Sequence, residues 1–294
     1  MPCLLYVPAT DSKKIEKALY LECDGIILDL EDAVGINEKS FARKNIVGFL
    51  SKERTGNKKI YVRINGLATL LWKEDIEVIV PLRPDVIVVP KVESNEEVNS
   101  LDVALEALEK KLGLQTGIIR LQILLESAKG ILNMQSILSS SKRIISATIG
   151  MADLCKDLNI SWESVFGSVN HFNLFIAERT KLSLVSKSLD LEPPWDCVYM
   201  NFNDEENFVK DTLIGKNIGC QGKIAIHPKQ IPIINNIYSI TDEEIKQAKK
   251  IVDLYEESLR GGKGATKING FLIDEPVVAQ AKKILSLLKG DKVL

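Results

Sequence analysis

The stretch GIILDLED, residues 25–32, sets an apolar run of strand length directly against two carboxylates, Glu31 and Asp32. The pattern recurs along the chain: KIYV leads into Arg63, DVIVVP (residues 85–90) into Lys91 and Glu93, RLQILL into Glu126, and RIISATIG into Asp153. A strand covered on both faces reads as a continuous apolar run, as in a parallel sheet flanked by helices. In a parallel barrel the carboxyl ends of all the strands meet on one face. Charged residues gathered at those ends predict an anionic, cation-binding site there.

Outward from that stretch, strand-length runs alternate with segments of helical period, the pattern of βα units. Strands are expected at Leu4–Val7, Gly25–Leu30, Lys59–Ile64, Asp85–Val89, Ile118–Leu125, Arg143–Ile149, Asp196–Met200 and Lys223–Ile226. Helices are expected at Asp11–Leu21, Ser94–Leu112, Val169–Leu189 and Asp204–Lys216, with Asp11 and Ser94 as caps. The fold class is therefore α/β, a TIM (β/α)8 barrel over residues 1–230 with a C-terminal helical extension over 231–294. In that extension a charged helix at Thr241–Leu259 and a final helix at Pro276–Leu288 flank Gly261, Gly262 and Gly264, which suggest a flexible arm.

The 294 residues suit one such barrel, and the formal net charge of −2 gives nucleic-acid binding no support. No apolar stretch is long enough to span a bilayer. The start, MPCLLYVPAT, has neither the sections of a signal peptide nor an Arg-rich transit sequence, and five widely spaced cysteines form no CxxC pair. These features predict free thiols and a cytoplasmic protein.

Glu126 and Asp153, at the ends of adjacent strands, could share one hard divalent cation, and oxygen donors suit Mg²⁺. Pairing with lysines or helix capping is the plainer alternative. Glu31 and Asp32 could accept hydrogen bonds from metal-bound waters, or Asp32 could cap its loop. Arg63 needs an anionic partner, either a substrate carboxylate or oxyanion or a structural partner such as Glu31 or Glu93. Lys91 is read as an ion pair rather than a Schiff-base lysine, with Glu93 as its neighbour. Pro90 is a candidate for lining the substrate. His227, ending the eighth strand beside a proline, is placed to shape the pocket, whereas His171 lies in a helical stretch and looks incidental.

Taken in order, LLYVPATDSKKIEKAL, LDLEDAV, YVRIN, VVPKVES, LLESAKGILN, GKIAIHPKQI and GKGATKINGFLIDEPVVAQAKKIL resemble the citrate lyase β-subunit-like branch of the HpcH/HpaI aldolase family over nearly the whole chain. The two ends look especially like citramalyl-CoA lyases. The resemblance implies a lyase joining or splitting a 2-oxo acid and an acyl-CoA, with Glu126 and Asp153 on Mg²⁺, Arg63 on the substrate, and Asp32 with Glu31 behind the metal's waters. It further implies a homotrimer in which Asp274, in FLIDEPVV, reaches a neighbouring subunit's site and carries the proton to or from the thioester carbon.

Three features depart from the family pattern: Ala9 replaces a glycine, Pro2 and Cys3 stand where a basic residue is common, and Ala152 replaces a glutamate. The first two fall where the family grips CoA. Lys13, Lys14 and His227 are the candidate contacts to that cofactor, with solvated surface lysines as the plainer reading of the first two. The leading substrates are citramalyl-CoA and malyl-CoA. The alternatives are a citrate lyase β subunit acting on an acyl-carrier-protein thioester, an aldolase without CoA, and a non-catalytic barrel that binds oxo acids.

Overall fold

The computed structural model describes residues 2–51, 57–161, 175–262 and 264–288. These fall into two compact units, Met1–Tyr238 and Ser239–Leu294.

The first unit holds β1 (Cys3–Pro8), β2 (Gly25–Asp29), β3 (Lys59–Arg63), β4 (Val86–Val89), β5 (Arg120–Leu125), β6 (Ile144–Ile149), β7 (Trp195–Asp196) and β8 (Gly222–Ala225). They form one parallel eight-stranded sheet in the order β6-β5-β4-β3-β2-β1-β8-β7. No ladder joins β6 to β7 among the described residues, but the Glu192 N–H donates to the Ile145 carbonyl at 2.9 Å across that seam. The sheet is a nearly closed barrel, the expected fold.

Period-two alternation sorts the side chains. Leu4, Ile27, Tyr61, Val88, Leu124 and Ile224 fill the inside of the barrel. Their sequence neighbours, among them Leu5, Ile26, Val62 and Ile87, belong to the larger cluster packed against the helices. Burial on both faces explains why these strands read as unbroken apolar runs.

Around the sheet lie α1 (Ser12–Ala18), α2 (Lys39–Leu50), α3 (Leu71–Ile79), α4 (Asn95–Lys111), α5 (Ala128–Leu132), α6 (Met134–Leu138), α7 (Met151–Asp157), α8 (Ile176–Ser188), α9 (Glu205–Asn217) and α10 (Gln230–Tyr238). Asp11 caps α1 by accepting the Lys14 N–H at 3.0 Å, and Ser94 with Glu97 forms a capping box on α4. Of the helix expected over Val169–Leu189, α8 is the described part; residues 162–174, with His171, lie outside the described residues.

The seventh strand is shorter than expected. Only Trp195 and Asp196 pair with β8, while Val198 and Met200 line a cavity instead. A buried quartet anchors this short strand: Asp196 and Asp211 each accept from both Arg179 and Lys223, at 2.6–3.1 Å.

The second unit contains α11 (Asp242–Arg260), an antiparallel pair β9 (Thr266–Ile268) and β10 (Phe271–Ile273), and α12 (Glu275–Leu288). Thr241 and Glu244 close a capping box on α11. Asn269 and Gly270 connect β9 to β10 with φ of +48° and +86°, the left-handed pair that a two-residue hairpin turn needs. The glycine-rich stretch thus leads into a hairpin. No described helix is long and apolar enough to cross a membrane.

Candidate active site

Asp29 and Arg63 are direct neighbours in the β2–β3 register. Both point into the barrel, and Arg63 Nε and Nη2 donate to the two carboxylate oxygens of Asp29 at 2.7 and 2.6 Å. The guanidinium also lies 3.2 Å from Glu31 Oε2 and 3.8 Å from Asp32 Oδ2. It stacks 4.8 Å from the centre of the Tyr6 ring. Asp29 further accepts the backbone N–H groups of Glu31 and Ala33 at 2.9 and 3.1 Å, which shapes the turn after β2. Lys39, on α2, fixes the same turn from outside by donating to the Leu30 and Glu31 carbonyls, each at 2.7 Å.

Glu126 follows β5 and Asp153 sits in the first turn of α7, after Gly150 ends β6. Both line one cavity of about 420 Å³, together with Arg63, Asp29 and Asp32. Glu126 is buried, and its Oε1 accepts the Lys91 backbone N–H at 3.1 Å. Burial pushes its carboxyl up to about 8; the Arg63 charge opposes this and Asp153 adds to it. Burial also raises Glu31. For Asp32, burial works against ionisation, but hydrogen bonding with Glu31 and Lys91 outweighs it and holds the carboxyl below its usual range.

Lys91 pairs with Glu31 and Asp32, not with Glu93, which instead lies 3.4 Å from Lys129. Five carboxyl groups, from Asp29, Glu31, Asp32, Glu126 and Asp153, thus meet two cations, Arg63 and Lys91. The donor set fits a hard dication: it is all oxygen, and among the described residues no hydrogen bond engages Glu126 Oε2. Burial raises the Glu126 pKa most, the nearby Asp153 and Glu31 charges add to it, and a cation would relieve that repulsion.

Among the described residues, three metal-capable donors lie within 4.8 Å of one another only at Asp196, Cys197 and Asp211. That group is already neutralised by Arg179 and Lys223, and burial pushes the Cys197 thiol up to about 12. It is a structural ion network.

Opposite the acidic side, Val198, Met200, Ile224 and Ile226 make the cavity wall apolar. Ala152 lines the cavity beside Asp153. Pro90 precedes Lys91 and is buried. His227, one residue beyond Ile226, stacks on Phe202 at 4.7 Å. Lys13 and Lys14 are exposed on α1, with Lys14 3.3 Å from Asp11. Asp274 lies in the second unit, between β10 and α12. Asp29 and Lys39 were not singled out by sequence reasoning, although the inward period of GIILD puts Asp29 on the face of Ile27.

The profile of the HpcH/HpaI aldolase/citrate lyase family matches residues 3–228, and the chain belongs to that family. It is 30% identical over 291 residues to the citrate lyase subunit beta of Leuconostoc mesenteroides subsp. cremoris, covering 99% of this chain and 94% of that one. It is 29% identical over 305 residues to the L-malyl-CoA/beta-methylmalyl-CoA lyase of Rhodobacter capsulatus, covering 99% and 95%. Identity is also 29% over 298 residues to the mitochondrial citramalyl-CoA lyase of Homo sapiens, covering 98% and 86%. The structure of protein CitE from Mycobacterium tuberculosis in complex with magnesium, acetoacetate and coenzyme A superposes with a TM-score of 0.76, at 23% identity, over 97% of this chain and 96% of that one. That likeness supports the fold. The relatives make this chain a lyase of the family, which removes the non-catalytic reading.

Proposed function

We propose that the chain is a Mg²⁺-dependent carbon–carbon lyase that splits, or forms, a 3-hydroxy-3-carboxyacyl-CoA, with citramalyl-CoA and malyl-CoA as the leading substrates. The observation that carries this reading is the two-sided cavity: acidic where Glu126 and Asp153 stand, and apolar along Val198, Met200, Ile224 and Ile226. Arg63 is the one cation in its described lining. A third carboxylate on the substrate would face the apolar wall without a counter-charge, a costly burial. A methyl group or hydrogen fits there, which favours pyruvate or glyoxylate over oxaloacetate as the oxo-acid product.

Glu126 and Asp153 would hold the dication, with Glu31 and Asp32 supporting its waters. Bound there, Mg²⁺ would supply Lewis-acid polarisation of the oxo-acid oxygens. Arg63, locked in plane by Asp29, would present a fixed positive charge beside the oxygen that becomes the oxo acid's carbonyl, so little reorganisation is needed as charge moves. Cleavage requires the 3-hydroxyl to give up its proton, for which the site's carboxylates are the available acceptors, and it leaves the C–C electron pair on the thioester α-carbon, which then needs one proton. Asp274 is the proposed donor, supplied by a neighbouring subunit of a homotrimer; its support is the FLIDEPVV match. Lys13, Lys14 and His227 are the proposed contacts to CoA.

The Leuconostoc likeness, over 99% of this chain, favours a second reading, a citrate lyase β subunit acting on a carrier-bound citryl thioester. Offering citramalyl-CoA, malyl-CoA and citryl-acyl-carrier protein to the purified protein separates the two. Release of pyruvate or glyoxylate from a CoA thioester supports the first, and oxaloacetate from the carrier-bound substrate alone overturns it.

A further inference from the structure

Lys91 follows β4 through Pro90 with a backbone φ of +54°, a left-handed conformation that a residue with a Cβ rarely adopts and that tends to mark functional sites. The turn brings both ends of the residue to the acidic cluster. Its backbone N–H donates to Glu126 Oε1 at 3.1 Å. Its ammonium donates to Glu31 Oε1 and, at 2.9 Å, to Asp32 Oδ1, and it stands 4.0 Å from Asp153 Oδ1. One residue thus reaches four acids drawn from three strand ends. The other cation, Arg63, is tied to Asp29 by two hydrogen bonds, so the ammonium is the charge that faces Asp32 and Asp153 together. Its side chain is 39% exposed, which leaves room to withdraw towards solvent.

We infer that Lys91 is a positioning residue that holds Glu31, Asp32 and Asp153 together in the metal-free protein and tunes the site's affinity for its dication by competing with it. The inference rests on the reading of Glu126 and Asp153 as metal ligands. The two ends of Lys91 act separately. The backbone N–H orients Glu126 whatever the side chain. The ammonium offsets repulsion among the carboxylates and repels an incoming cation.

The test is a calorimetric titration of the metal-free full chain with Mg²⁺, comparing wild type, Lys91→Met and Lys91→Arg, with the melting temperature of each in chelator. Lys91→Met keeps the stem and the backbone donor but removes the charge. It should bind Mg²⁺ about tenfold more tightly and melt lower without metal, with Mg²⁺ restoring the loss. Lys91→Arg keeps the charge and should stay within about twofold of wild type. Unchanged or weaker binding by Lys91→Met overturns the inference, as does an equal shift in both variants, which would point to packing. Lys91→Gln gives the same comparison should Lys91→Met aggregate. A wild-type protein that binds no Mg²⁺ removes the ligand reading and this inference with it; failure confined to the variants leaves the ligand reading standing.

Discussion

Arg63 and Asp29 are register partners on adjacent strands, joined by two hydrogen bonds of 2.7 and 2.6 Å, and both are buried. The pair fixes the guanidinium plane at the mouth of the barrel. Asp29→Asn removes the charge that balances it and one acceptor of the fork. Breaking a buried pair in this way costs about 3 kcal/mol, measurable as a lower denaturant midpoint. Turnover should fall roughly a hundredfold, since a misdirected arginine no longer meets the developing charge. Wild-type kinetics in a destabilised Asp29→Asn protein would show that the fork serves stability alone.

Gly150 makes room for Glu126. A Cβ on Gly150 would stand 2.4 Å from Glu126 Oε2 and 2.7 Å from its carboxyl carbon, so one of the two must move. Gly150→Ala should retain the fold, at a cost of about 1–3 kcal/mol. It should weaken Mg²⁺ binding at least tenfold, roughly what is expected when a ligand loses its support. Calorimetric titration of the folded variant checks this, and unchanged affinity would take Glu126 out of the metal site.

The raised Glu126 pKa has a signed consequence. Its folded value, about 8, lies above the ordinary 4.5 because of burial. The folded state therefore holds the proton longer, and this contribution to stability is complete below pH 4.5 and is lost as pH rises through about 8. In chelator, the melting temperature of wild type should fall between about pH 5 and pH 9 more than that of Glu126→Gln, which has no such proton. Protons also compete with the cation, so Mg²⁺ affinity should weaken as pH drops below about 8. Parallel melting profiles for the two proteins would contradict the assignment.

Much of this was legible in the sequence, and the physical reason is burial. Strands covered on both faces are largely apolar, so GIIL, VIVV and ILL declare themselves, and the charges that follow them mark the rim. Register was not legible. Asp29 reads as one more polar residue until β2 and β3 align it with Arg63. Lys91 reads as a partner of Glu93 until the fold brings Glu31 and Asp32, some sixty residues earlier, against its ammonium. β7 eluded its expected limits because Val198 and Met200 keep the apolar character of a strand while serving the cavity. The hairpin at Asn269–Gly270 did carry a signal, an Asn-Gly pair between apolar residues, masked by the glycines before it.

The lyase assignment is tested most directly by the rate of oxo-acid release from citramalyl-CoA and malyl-CoA by wild type, Glu126→Gln and Asp153→Asn, each folded, with Mg²⁺ and with chelator. Wild type should release oxo acid with Mg²⁺ only, and both variants should lose about three orders of magnitude or more. Release that persists in chelator, or in either variant at limiting Mg²⁺, would contradict it.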